Sequence, residues 1–371
     1  MRRWVVPVAA PALIAFAVAA GLDYINRAAP EHHAGKAARS GRPGGTSSPS
    51  AASLMSKDRP LPRYLVGVRR SGSAVVVRDV RTLAPVATVA APAKRRFQQV
   101  AAAGIGPGGV GLAGAGSSSA EPGGAGSDGA GSDGAGSYVV SASAGGGIAF
   151  YRLRVGGDGR PGPLTPLPRL WIPGTSTRWS DMAVNARGDA IAYVSYGRAP
   201  KKIAIDVIST TGAPRRTWTT AHAGRIGDLS WAGRTLAFVW TPMRGTAVLR
   251  HQLRTLDTAS RPGDLGVSKP VLTLPDGAEA AVLSRDGTTV VTGIAGSSGL
   301  ELAAYSAADG RRTAVLWRSP GAAPAPRVVQ LVPDSGGGDL IAEAADGGLL
   351  VGPAHGRTGF AAAADLVDVA W

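Results

Sequence analysis

"GDLSWAGRTLAFVW", residues 227–240, decides the fold. Two short apolar strands flank the tight turn Ala232-Gly233-Arg234, and the first strand opens on an acid, Asp228. The phrase recurs as "SDMAVNARGDAIAYVS" from Ser180, "AEAAVLSRDGTTVVTG" from Ala278 and "RVVQLVPDSGGGDLIAEA" from Arg327. Apolar runs of strand length broken by Gly, Asp and Asn are the mark of β-hairpins. A chain that repeats one hairpin is building one unit many times.

Each hairpin is followed by a third and a fourth strand. The clearest copy runs "DMAVNARGDAIAYVS", "KKIAIDVIST", "RRTWTTA", within residues 181–221, and the next occupies residues 228–275. Further copies fill 279–319 and 328–364, and an upstream copy opens at "RFQQVAAAG", from Arg96. Starts fall about 40–50 residues apart, the period of a four-stranded propeller blade. The first copy, residues 64–91, has three strands and lacks the opening one, while the final "LVDVAW", residues 366–371, matches that opening strand. Pairing the two fragments leaves no sheet edge open. The expected fold is therefore all-β: a six-bladed β-propeller over 63–371, closed by the C-terminal strand pairing with the N-terminal blade. Two packed sheets of a sandwich would need neither equal spacing nor complementary ends.

Two stretches stand outside the repeat. Residues 1–26 hold a basic start and an uncharged run, Trp4 to Leu22, whose 19 residues would reach about 28 Å as a helix, close to a bilayer's hydrocarbon core. It reads as a signal anchor (a transmembrane helix) or, with Ala17-Val18-Ala19 as a small-x-small site, as a cleaved signal peptide. Residues 27–62, rich in Ala, Gly, Pro and Ser, read as a disordered linker. A second low-complexity stretch, 104–137, reads as an insert within the upstream copy. Its Gly104-Ile105-Gly106 start and its "GGAGSD" at 123–128 match a dinucleotide fingerprint and a calcium-binding turn only by chance, since no helix follows the first and the local repeat is wrong for the second.

Composition narrows the function. There are no cysteines among the 371 residues, so disulfides, thiolate metal sites and cysteine nucleophiles are excluded. The net charge of +15 comes from scattered Arg without interleaved aromatics, which argues against a nucleic-acid partner. No nucleophile elbow, His-Glu-x-x-His helix or P-loop occurs. His222, His251 and His355 are isolated along the chain, and no cofactor is implied. One constellation remains. Asp181, Asp228, Glu279 and Asp368 share the opening register, with Val329 and Phe97 at the other two positions. Innermost strands converge on a propeller's channel, so these acids are the candidate ligand-binding residues at its mouth, where they would draw a cation or cationic group. The bland alternative is that they cap loops or pair with Arg178 and Arg225.

The hairpins "SRDGTTVVTG", "NARGDAIAYV" and "WAGRTLAFVW" resemble those of TolB-like and WD-repeat-like bacterial propellers. With its basic anchor and Pro/Gly/Ser stalk, the chain resembles membrane-anchored actinobacterial propeller proteins, although Trp-Asp and Gly-His pairs are missing. The resemblance implies a non-enzymatic, membrane-tethered extracytoplasmic scaffold that binds a protein or small-molecule ligand. The alternative is a propeller hydrolase, lactonase or lyase with a metal or cationic substrate at the channel mouth. Membrane contact is expected through the N-terminal helix, with secretion instead if it is cleaved. A reporter active only outside the cytoplasm, fused after Trp371, is expected to light up; activity of a cytoplasm-only reporter at the same position refutes export.

Overall fold

The computed structural model describes residues 62–103, 136–197, 202–297, 299–318, 327–333, 340–345, 348–351, 361–362 and 365–371. Residues 1–26, expected to be an anchor or signal, nearly all of the expected linker, and residues 104–135 of the expected insert lie outside the described residues. The insert ends earlier than its composition suggests. Gly136 and Ser137 already belong to the strand Gly136–Ala144, because they pair with Val155 and Arg154 across the hairpin.

No α-helix occurs among the described residues, and no helix is long and apolar enough to cross a membrane. The strands form an all-β propeller, in six antiparallel sheets that follow the chain. The first sheet holds Tyr64–Arg69, Ala74–Asp79 and Pro85–Ala90, and the second runs from Arg96–Ala103 to Thr165–Pro173. The third begins at Met182–Val184, the fourth at Gly224–Ala232, the fifth at Ala278–Leu283 and the sixth at Val328–Pro333. Within each, strands succeed one another in sequence order, as short hairpin turns require, save for one strand added from elsewhere in the chain to the first sheet and one to the third.

The opening hairpin behaves as its sequence dictates. Ala232 pairs with Thr235, leaving a two-residue turn in which Gly233 takes φ +60°, a conformation that costs glycine nothing. Leu236, Ala237 and Phe238 on the second strand are fully buried. Residues 246–257 of this copy hold two strands. Ala247–Val248 folds back on Met243 and Arg244 as an exposed hairpin tip, and Gln252–Asp257 alone continues the sheet. The long loop that follows returns to the third sheet, where Gly263–Asp264 adds a parallel strand beside Trp218 and Thr219. Trp218 is fully buried there, packed with Leu265, and its indole Nε1 donates to the Arg261 carbonyl at 3.2 Å. One sheet thereby straps the outer edge of its neighbour.

The two ends of the repeat do meet. Leu366–Ala370 pairs antiparallel with Tyr64–Arg69, setting Ala370 against Val66, Val369 against Gly67 and Asp368 against Val68. Gly67 has no room for a side chain: a Cβ there would lie 2.5 Å from Leu366 Cδ1. Leu366, Val369 and Trp371 are buried with Leu65, Val80 and Ile341, so the last strand fills the core between the first and sixth sheets. Removing residues 366–371 is expected to cost several kcal/mol, on the scale of large-to-small core truncation, and to bare a strand edge that promotes aggregation. Thermal unfolding and solubility of a chain ending at Asp365 check this; values equal to those of the full chain refute the closure.

Candidate functional site

In five of the six sheets the register of the innermost strand slips at one point, and the slip sets which residue faces the common axis. In the fourth sheet the register slips between Gly227 and Ser230, and Asp228 takes φ +51°. Asp tolerates this left-handed conformation better than most residues, at a modest cost in strain. Its reward is reach. Asp228 Oδ2 accepts the Ala281 N–H at 3.0 Å and Oδ1 the Leu331 N–H at 3.2 Å, from the fifth and sixth sheets.

Asp181 and Asp368 repeat the pattern. Asp181 Oδ1 accepts from the N–H of Met182 at 2.7 Å, and Oδ2 from that of Leu229, in the fourth sheet, at 2.7 Å. Asp368 Oδ1 accepts from the Val369 N–H at 3.0 Å and the Gln330 amide Nε2 at 2.9 Å, while Oδ2 takes the Val100 N–H at 2.6 Å. Six first strands thus each turn one N–H inward, and three carboxylates receive all six. Gln99 completes the belt, its Nε2 donating to the Ser180 carbonyl at 3.0 Å and its Oε1 accepting the Tyr193 hydroxyl at 2.8 Å.

This corrects the expected register. The residues that precede the six inward N–H groups are Gln99, Asp181, Asp228, Ala280, Gln330 and Asp368. Glu279, Val329 and Phe97 do not share the inner position. The bulges between Ala278 and Ala280, between Val328 and Gln330, and between Phe97 and Val100 displace them from it. Glu279 stays on the rim, where it accepts from Arg327 at 2.7 Å. The sequence did hold a signal for this. The turns at Gly188 and Gly287 are equivalent, each glycine at positive φ and bonded to the residue three before it. Counting back equally from those glycines reaches Asp181 in one copy and Ala280, not Glu279, in the other.

Burial governs the titration of the belt. Desolvation pushes Asp181 up to about 6 against the pull of its backbone N–H donors. Asp228 and Asp368 are raised well above the ordinary carboxylate value, first by burial and then by repulsion from Asp181. Every carboxylate oxygen in the belt therefore already has an N–H donor, and added negative charge there is disfavoured. Among the described residues no group of three or more His, Cys, Asp or Glu side chains is arranged to hold a metal ion.

The belt divides the channel. On one side lies a narrow cavity of about 110 Å³, lined by residues that follow the belt, such as Met182, Leu229, Val282 and Leu331. On the other a mouth of about 640 Å³ opens above Asp181, Asp228 and Asp368, with Glu279, Glu343 and Val329 on its walls. Burial lifts Glu343 to about 7, opposed by the charge of Arg70. Arg178 and Arg225 also line the mouth, but they do not pair with the aspartates. Both guanidiniums stack on Trp179, with centres 4.3 and 3.7 Å from the ring centroid. His251 bonds to the Thr241 hydroxyl at 2.9 Å, and partial burial lowers its pKa, so it is neutral at neutral pH. The Arg–Trp–Arg stack was not read from the sequence; the adjacent "RWS" at 178–180 was its only local sign.

No family model matches the chain, and no curated protein matches it. Solved structures resemble it loosely. Apo AztD from Citrobacter koseri is 12% identical over 78% of this chain and 66% of that one, with a TM-score of 0.35. A mutant apocarotenoid oxygenase from Synechocystis is 12% identical over 80% and 68%, with a TM-score of 0.42. A chain of a nidogen/laminin complex is 12% identical over 83% and 97%, with a TM-score of 0.44. The chain spans 58% of the length of the uncharacterized protein lmo1340 from Listeria monocytogenes and matches it at a TM-score of 0.36.

Because Asp181 titrates higher folded than unfolded, the stabilisation tied to its protonated form is complete below about pH 4 and fades as pH rises through about 6. Replacing Asp181 with Asn is expected to remove that part of the pH dependence, on the order of 3 kcal/mol between pH 4 and 7. Urea unfolding of both proteins across that range checks it; parallel curves refute it.

Proposed function

We propose that this protein is a non-enzymatic binding propeller that takes a ligand or a protein segment at the wide mouth of its channel. The six sheets serve as the blades of one closed ring, with TolB-like and WD-repeat-like hairpins. The apolar run Trp4–Leu22 supports tethering to a membrane, with the propeller outside the cytoplasm, or secretion if that run is cleaved.

One observation carries the binding reading. The polar groups facing the axis are divided between two tasks. Asp181, Asp228 and Asp368 are occupied by backbone N–H groups and hold the floor together. The rim above them keeps Arg178, Trp179, Arg225 and Glu343 around a cavity of about 640 Å³, a size suited to a small ligand or a short peptide. A concave site with few polar groups over a rigid floor is built to bind. A hydrolase, lactonase or lyase with a metal or cationic substrate at the same mouth is the second reading. It would need the floor carboxylates to give up donors that they already hold.

The test uses a mouth-blocking variant. Val329 is 43% exposed and lines the mouth, so Val329→Trp fills the entrance without disturbing the core. A library of organic acids, sugars, polyamines and short peptides is screened by thermal shift. Compounds that raise the melting temperature of the wild type are expected to lose that effect in the variant. Hits that stabilise both proteins equally refute the mouth as the site. Metal-dependent turnover of a lactone or ester, lost in the variant, favours the enzymatic reading.

A further inference from the structure

The mouth holds two guanidiniums in an unusual state. Arg178 and Arg225 come from different sheets' approaches, Arg178 just before Met182–Val184 and Arg225 within Gly224–Ala232, yet both pack on the same indole. Neither forms an ion pair with a carboxylate among the described residues. Their neighbour Arg327 does, with Glu279. The rim therefore carries two cationic groups that no described carboxylate pairs with, around a cavity open to solvent.

Stacking uses the face of a guanidinium and leaves its N–H donors free in the plane. Trp179 thus fixes the orientation of both groups before any ligand arrives, which lowers the side-chain entropy lost on binding. Planar forks of this kind match the paired oxygens of a carboxylate or phosphate. Beneath them, the floor aspartates turn their oxygens toward backbone N–H groups and away from the role of counter-ion. Both arginines remain available to a ligand from solvent.

We propose that the channel mouth binds a small ligand through an oxyanion, a carboxylate or phosphate gripped by Arg225 and Arg178, with any flat part of the ligand lying beside Trp179. The assignment rests on the mouth being the binding site, and it reverses the sign of ligand expected from the acids alone.

The experiment titrates the full chain by calorimetry at fixed ionic strength with citrate, inorganic phosphate and, as the cationic counterpart, spermidine. Saturable binding of citrate or phosphate to the wild type is expected. The preference between them distinguishes a carboxylate from a phosphate ligand. Affinity should fall tenfold or more in Arg225→Gln and in Arg178→Gln, and Arg225→Lys should recover part of it. Trp179→Ala should weaken binding with little change in melting temperature, since its side chain is exposed. Val329→Trp serves as the reference for the mouth itself. Spermidine binding that Val329→Trp abolishes, with no anion bound, keeps the mouth as the site and overturns the oxyanion. Anion binding that is equal in the wild type and the double variant Arg178→Gln, Arg225→Gln overturns the proposal, as does the absence of saturable binding by either anion.

Discussion

Six strands brought side by side around an axis face a problem of backbone chemistry. Each innermost strand has one edge with no further strand to pair with, and the N–H groups on that edge are buried. An unpaired buried N–H costs on the order of 1–3 kcal/mol, so six of them would consume much of a domain's net stability. Here three aspartates supply the missing acceptors. Asp368 links the first sheet to the second, Asp181 the third to the fourth, and Asp228 the fourth to both the fifth and the sixth. Gln99 to Ser180 and Gln330 to Asp368 fill the two remaining gaps. The circuit is continuous, and everything outside it is hung on it.

The same circuit explains why the phrase Asp-x-x-Trp occurs at both 228–231 and 368–371. In each copy the acid bonds forward to the next sheet, and the tryptophan reaches back to the previous one. Trp231 Nε1 donates to the Ala183 carbonyl and Trp371 Nε1 to the Val332 carbonyl, both at 3.3 Å. Four residues therefore fasten a sheet to both of its neighbours. The C-terminal strand is consequently more than a cover for an open edge. It brings Asp368 and Trp371 to the seam between the sixth and first sheets, and it is held to Tyr64–Arg69 by strand pairing.

Much of this was legible before any coordinates. Hairpins announce themselves by turn glycines and apolar alternation, and the pairing of the two chain ends follows from one missing strand and one spare strand. Asp181, Asp228 and Asp368 stand out in the sequence as acids at the heads of apolar strands, but their bonding to backbone N–H groups shows only in the structure. What misled was the assumption that strands run without interruption. A single bulge shifts every later residue to the opposite face, and bulges leave no compositional mark in "AEAAVL" or "RVVQLV". The sequence accordingly puts Glu279 in one register with the three aspartates and gives no sign of Gln330, although Glu279 does line the mouth. Gln99 was missed for a second reason, since an amide that both donates and accepts does not look like the equivalent of a carboxylate. The stacked arginines were beyond reach from the sequence, because Arg225 meets Trp179 only once the third and fourth sheets lie side by side.

The division between floor and rim follows from the energetics of burying charge. A carboxylate held in the axis is tolerable only if N–H groups surround it, and even then Asp228 and Asp368 resist ionisation. Groups so constrained are poor partners for a ligand, because any contact they gained would replace one the ring requires. The rim is under no such demand. Trp179 and Arg178 are exposed, so they can change partners without loosening a sheet. A ring whose axis is sealed by its own backbone can vary its rim freely, and in the binding reading proposed above selectivity resides there.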